Sequence, residues 1–184
     1  MTMMNVFAIF GLSAFLSLTS SVVFAKFCAW PWLRGRKLYT ALLVLVAPHM
    51  FLRFIGLSLL VPGVVSPSLP AAFALPAAYG DVVAGLLAIV ATIALSRRAS
   101  WSIAAVWVFN LWGAADLLLA LFQGPRLIAD AGMLGAAFYL PTAIVPPLLV
   151  SHALVFLLLL RRADSTEAEP AGFPAHPAGP RSIA

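Results

Sequence analysis

The sequence predicts an all-α integral membrane protein, folded as a single bundle of five transmembrane helices. Three observations carry that reading. Of the 184 residues, 63% are hydrophobic and 9% are charged, against roughly 45–50% and about 25% in soluble domains. Five apolar runs reach the ~20 residues needed to cross a hydrocarbon core, at roughly 5–25, 38–61, 77–95, 101–122 and 133–160. The Lys and Arg residues alternate between successive connections, as they do in membrane proteins of fixed orientation.

Four cations (Lys26, Arg34, Arg36, Lys37) follow the first run, and none follows the second. Arg97 and Arg98 follow the third run, Arg126 follows the fourth, and Arg161, Arg162 and Arg181 lie in the tail. One face therefore collects nine cations and the other collects one, with Arg53 inside a run. The positive-inside rule then predicts an N-terminus outside and a C-terminus in the cytoplasm of a cell inner (plasma) membrane. The net charge of +5 is accounted for by topology and lipid headgroups, so nucleic acid is not an expected partner. With one cysteine, Cys28, no intrachain disulfide can form.

The first run ends in Val23-Phe24-Ala25, which resembles a small-residue cleavage site. No Lys or Arg precedes it, however, and a signal peptide begins with a positive region. An uncleaved helix is expected, with Ser13, Ser17 and Ser21 as a small-residue packing stripe. The segment Lys26–Lys37 interleaves Phe27, Trp30 and Trp32 with cations and reads as an interfacial anchor on anionic lipid. The second run holds Pro48, His49 and Arg53. The connection after it, from Pro62 to Pro76, carries no charge. The third run holds Asp81 and a small-residue stripe at Gly80, Ala84, Ala88 and Thr92. The fourth holds Asn110, Gly113 and Asp116. The fifth is interrupted by Pro141, Pro146 and Pro147 before Ser151 and His152. Proline kinks are therefore expected in helices 2 and 5. Residues 1–160 form the expected transmembrane domain. Residues 161–184, rich in Ala, Pro and Gly, read as a disordered cytoplasmic tail.

His49, Arg53 and Gly56 fall at i, i+4 and i+7, one face of a helix. Facing lipid, a central Arg costs about 2.5–3.5 kcal/mol, so that face turns into the bundle and Arg53 requires an anion. Only Asp81 and Asp116 are acidic within the runs. Counted from the outer ends at 1.5 Å per residue, Arg53, Asp81 and Asp116 lie at depths of about 12, 6 and 9 Å. A buried ion-pair cluster across helices 2, 3 and 4 follows, and its excess carboxylate makes it a candidate for proton exchange. His49 and His152 sit deeper, at depths that differ by about 5 Å. Two such imidazoles offer a haem option as axial ligands; no other cofactor and no metal site is indicated. Pro48, Pro146 and Pro147 free the carbonyls of Val44, Thr142 and Ala143, and interrupted helices at mid-depth mark binding sites or hinges in membrane proteins.

No phosphate loop, nucleophile elbow, Cys-x-x-Cys, His-Glu-x-x-His or glycine fingerprint is present, so the reading leans away from an enzyme. The leading functional expectation is a small multi-pass protein that binds or moves a small apolar or amphipathic molecule, or protons. The polar lining would be His49, Arg53, Asp81, Asn110, Asp116 and His152. Two alternatives stand beside it. One is a non-catalytic accessory subunit, alone as a homo-oligomer or in a larger membrane complex, whose ion pairs only fix helix packing. The other is a membrane redox (haem) or lipid-modifying enzyme. The expected surroundings are membrane lipids.

Overall fold

The computed structural model describes residues 6–167, and within them the chain is helical, with five helices long and apolar enough to cross a membrane. These are α1 (Val6–Arg34), α2 (Leu38–Leu60), α3 (Ala71–Ser96), α4 (Ser102–Leu127) and α5 (Leu140–Arg162).

Their bounds differ from the expected ones for identifiable reasons. α1 does not stop at residue 25. A π-turn over Ala25–Ala29 carries it on to Arg34, so Lys26 and Arg34 lie on the helix rather than in a loop. α3 begins six residues early because Pro70, extended at φ −61° and ψ 126°, sets its start, and Pro76 is accommodated within the helix. α4 runs past Phe122 to Leu127. There Arg126 returns to the helix, with Nη1 donating to the Phe122 carbonyl at 2.6 Å and the guanidinium 3.4 Å above the Phe122 ring.

The fifth run departs most. Ala131–Phe138 is a separate 3-10 segment, Leu140–Ile144 is a π-turn, and the α-helix proper spans Val145–Glu167. Gly135 has φ 51°, a conformation that favours glycine, and a Cβ there would overlap the Val64 carbonyl oxygen. Close approach of the α2–α3 connection therefore stops the helix from starting at 133. That connection is tied down by Ser66 N–H to the Met133 carbonyl and Ala136 N–H to the Val64 carbonyl, each at 2.9 Å. The helix extends through residues 161–167, where the sequence predicts a tail; residues 168–184 of that expected tail lie outside the described residues.

α2 is made of three pieces. α-Helical Leu38–Val46 and His49–Leu52 are separated by a turn at Ala47-Pro48, and Arg53–Leu60 follows as a 3-10 helix. Pro146 and Pro147 fall in the first turn of the α-helical part of α5, where a missing N–H costs little.

Two apolar clusters form the core. One joins Leu42, Val46, Ala88, Val106, Phe109 and Val155; the other joins Leu59, Phe73, Ala78, Leu134, Ala137 and Leu140. On each of α2 to α5 the polar residues fall between the positions that feed the two clusters. The small stripe on α3 serves close packing, since Ala84 and Ala88 are fully buried. α1 packs against α5 and buries none of Val6–Phe24 completely. Its Ser13 and Ser17 are half-buried while Leu12, Phe15 and Leu16 are exposed. The exterior carries many large apolar side chains, Phe15 at 64% and Phe24 at 63% exposure among them, as an apolar solvent favours.

Candidate functional site

All six polar residues singled out in the sequence meet between the two apolar clusters, and Arg53 is the centre. Its 3-10 stretch of α2 places the side chain at 1% exposure. Nη1 donates to Asp81 Oδ1 at 2.6 Å and to Asp116 Oδ2 at 2.8 Å. Nη2 donates to the Gly113 carbonyl at 2.5 Å and faces His152 Nε2 at 3.0 Å. The four Nη hydrogens thus each have an acceptor, and Nε has no partner among the described residues.

Hydrogen-bond chemistry fixes the histidines. A guanidinium only donates, so His152 Nε2 accepts and its proton sits on Nδ1, 2.7 Å from Asn110 Oδ1. Asn110 Nδ2 in turn donates to the His152 carbonyl at 3.2 Å. Ser151 donates its hydroxyl to the Leu148 carbonyl at 2.8 Å, so it accepts from His49 Nε2 at 2.7 Å. His49 Nδ1 is then a lone pair with no partner among the described residues. The two imidazoles lie 4.6 Å apart between ring centroids, and Phe109 packs on both, at 5.0 and 5.1 Å.

The sequence predicts two polar layers, carboxylates with Arg53 and histidines deeper. In the structure they are one network, because Arg53 reaches both with a single guanidinium. The haem option does not fit. Both Nε2 atoms are engaged, one by Ser151 and one by Arg53, and the rings pack on each other. Axial ligation needs both nitrogens aimed at one iron with a macrocycle between them. Pro48 and Pro147 line a cavity beside His49, whereas Pro146 does not.

The sequence places Gly56 on the Arg53 face and Gly80 in a packing stripe; what it does not show is which polar group each of these glycines, and Gly113, makes room for. A Cβ at Gly56 would overlap the Asp81 carboxylate, and one at Gly80 would overlap that of Asp116. One at Gly113 would fall 2.6 Å from His152 Cε1 and 2.9 Å from Arg53 Nη2. The available signal was position, since Gly56 is three residues from Arg53, Gly80 adjoins Asp81, and Gly113 is three from Asp116.

An apolar cavity of about 300 Å³ opens beside the carboxylates. Its walls include Phe10, Phe73, Leu117 and Leu121, and Asp81 and Asp116 are the only charged side chains among its described lining residues. Their side chains retain 15% and 10% exposure. Asp81 Oδ2 and Asp116 Oδ1 receive no hydrogen bond from a described residue. With both carboxylates ionised, Arg53 balances one charge of two, and the trio presents one net negative charge to an apolar space.

The sequence profile of a domain of unknown function (DUF8737) matches residues 9–160, a range that holds all six polar residues and all of the five helices except the first three residues of α1 and the last two of α5. No curated protein and no solved structure matches the chain. The chain belongs to the DUF8737 family.

Proposed function

We propose that this DUF8737 protein is a multi-pass protein of a cell inner membrane, N-terminus outside and C-terminus in the cytoplasm, that binds a small amphipathic molecule. The apolar body occupies the cavity lined from all five helices, Leu59 of α2 included, and the polar head meets Asp81 and Asp116. One observation carries the reading: two carboxylates, each with an oxygen left without a donor, border an otherwise apolar cavity. Few convergent polar groups in an apolar recess are the pattern of small-molecule sites, and this volume is at the lower end of their ~300–1,000 Å³ range. With both carboxylates ionised, the trio selects a head that donates hydrogen bonds or carries one positive charge. The orientation rests on the nine-to-one distribution of Lys and Arg.

A chain-matched series tests this. Decylammonium, decanol and decanoate share a tail and differ in head. Thermal unfolding of the purified protein in a maltoside detergent is expected to shift upward most with decylammonium, less with decanol and not with decanoate. Equal shifts for all three would reduce the cavity to a detergent crevice and overturn the reading.

A second reading is favoured by a different observation. All four Nη hydrogens of Arg53 are satisfied by the protein alone, so the network is complete as a fastening that sets which helices neighbour which. Under that accessory-subunit reading, the carboxylates serve helix order only and the decyl series shows no head preference.

A further inference from the structure

A second cavity, of about 490 Å³, approaches the same polar network from the other half of the bundle. Phe24, Cys28, Trp32, Pro48, His49 and Ser151 are among its walls. These come from the end of α1, the first half of α2 and the middle of α5. The carboxylate cavity draws instead on the start of α1 (Phe7, Phe10), the end of α2 (Leu59), the start of α3 (Phe73, Ala77) and the end of α4 (Leu121, Gly124). Successive spans run in opposite directions, so the two cavities occupy opposite halves.

What separates them is thin and is named residue by residue. Asp81 and Asp116 border the first cavity, and His49 and Ser151 border the second. Between them stand the Arg53 guanidinium and the His152 ring, 3.0 Å apart, with His152 packed on His49. Irregular helix borders both spaces. Leu140 and Pro141 of the π-turn line the first, Pro48 and Pro147 line the second, and Arg53 itself begins a 3-10 segment. Such interruptions are where helices in membrane proteins bend and bind.

We infer that the two cavities are halves of one route through the bundle for a monocationic organic molecule, and that the Arg53–His152–His49 layer is its gate. The inference rests on the binding reading above and adds passage to it. A cationic head at the donor-free Asp81 Oδ2 and Asp116 Oδ1 draws on the two carboxylates that hold Arg53 Nη1 through Asp81 Oδ1 and Asp116 Oδ2, and so weakens their hold on one side of the layer.

Cys28, the chain's one thiol, lines the second cavity and reports on passage. The probes are two membrane-impermeant methanethiosulfonates, one bearing trimethylammonium and one bearing sulfonate. They are applied to intact cells and to inverted membrane vesicles that hold the full-length protein. The cationic reagent is expected to modify Cys28 from both faces and the anionic one from the second-cavity face only. Asp81→Asn with Asp116→Asn should slow cationic modification from the first-cavity face about tenfold or more, the loss of a charge-assisted contact. Folding of this variant is read from a cooperative thermal transition and single-species elution in detergent, and the single variants Asp81→Asn and Asp116→Asn, which leave Arg53 one carboxylate, give the same comparison if it does not fold. Failure of the cationic reagent to reach Cys28 from the first-cavity face, with normal reaction from the other, overturns the route. So does entry of both reagents at equal rates. If decylammonium still stabilises the protein, only passage has failed; if it does not, the binding reading has failed too.

Discussion

The Nη2 of Arg53 lies 3.0 Å from the Nε2 of His152, a contact in which only the imidazole can be the acceptor. It assigns the His152 proton to Nδ1, where Asn110 Oδ1 receives it at 2.7 Å. One buried cation thus orders a chain of neutral groups behind it. The assignment is checked with selectively 15N-labelled histidine: the His152 signals are expected to show an Nδ1–H imidazole with an unprotonated Nε2. The opposite tautomer would mean that Arg53 does not donate to it.

Removing that acceptor leaves a guanidinium hydrogen unpaired in the interior. His152→Ala is expected to cost about 1–3 kcal/mol from the unsatisfied donor alone, before any cavity contribution. Asn110→Ala strands the Nδ1–H of His152 at a similar cost. Reversible unfolding in mixed micelles measures both. A double variant less destabilised than the sum of the singles would report the coupling of one network.

The glycines make a sharper prediction because a control lies in the same chain. Gly56→Ala, Gly80→Ala and Gly113→Ala each drive a methyl into Asp81, Asp116 or the His152–Arg53 pair, and overpacking of this kind costs about 1–3 kcal/mol. Gly11→Ala meets nothing within 4 Å and removes a helix-interior glycine, so it should stabilise α1 by up to about 1 kcal/mol. Thermal midpoints that move alike in all four variants would contradict the close approach at the three inner sites.

Single and combined charge changes should behave differently. Asp81→Asn and Asp116→Asn each leave Arg53 one carboxylate, whereas the two together leave the buried cation unpaired; loss of a partner in a buried pair costs about 3–5 kcal/mol. Replacing Arg53, Asp81 and Asp116 together by apolar residues of similar volume should restore much of the stability. Under the binding reading that triple variant folds but loses its preference for decylammonium over decanol. Retention of the preference would place the head elsewhere.

Much of this was legible in the sequence because the cost of charge in hydrocarbon is so large. Arg53 demanded an anion, and only Asp81 and Asp116 were on offer at a matching depth. The five helices followed from run length and composition. Their ends did not, since Pro70, Pro76 and Pro125 act by position within a turn rather than by identity alone. The separate Ala131–Phe138 segment depends on Gly135 meeting the Val64 carbonyl, a contact across some seventy residues of chain that no local pattern encodes. The two polar layers expected from depth counting became one because a count along helix axes ignores how far a guanidinium reaches. The cavities were invisible for a related reason: they are space left between apolar side chains, and only their polar borders leave a trace in sequence.

The direct test of the central claim is photolabelling with a single-chain alkylammonium that carries a diazirine on its tail, mapped by peptide mass spectrometry on the reconstituted protein. The account predicts label on Phe73, Leu117 and Leu121, which wall the carboxylate cavity. That label should be displaced by excess decylammonium and be absent with the matching alkyl carboxylate. Label spread over the outward surface, on residues such as Phe15 and Val90, and equal for the two heads, would contradict it.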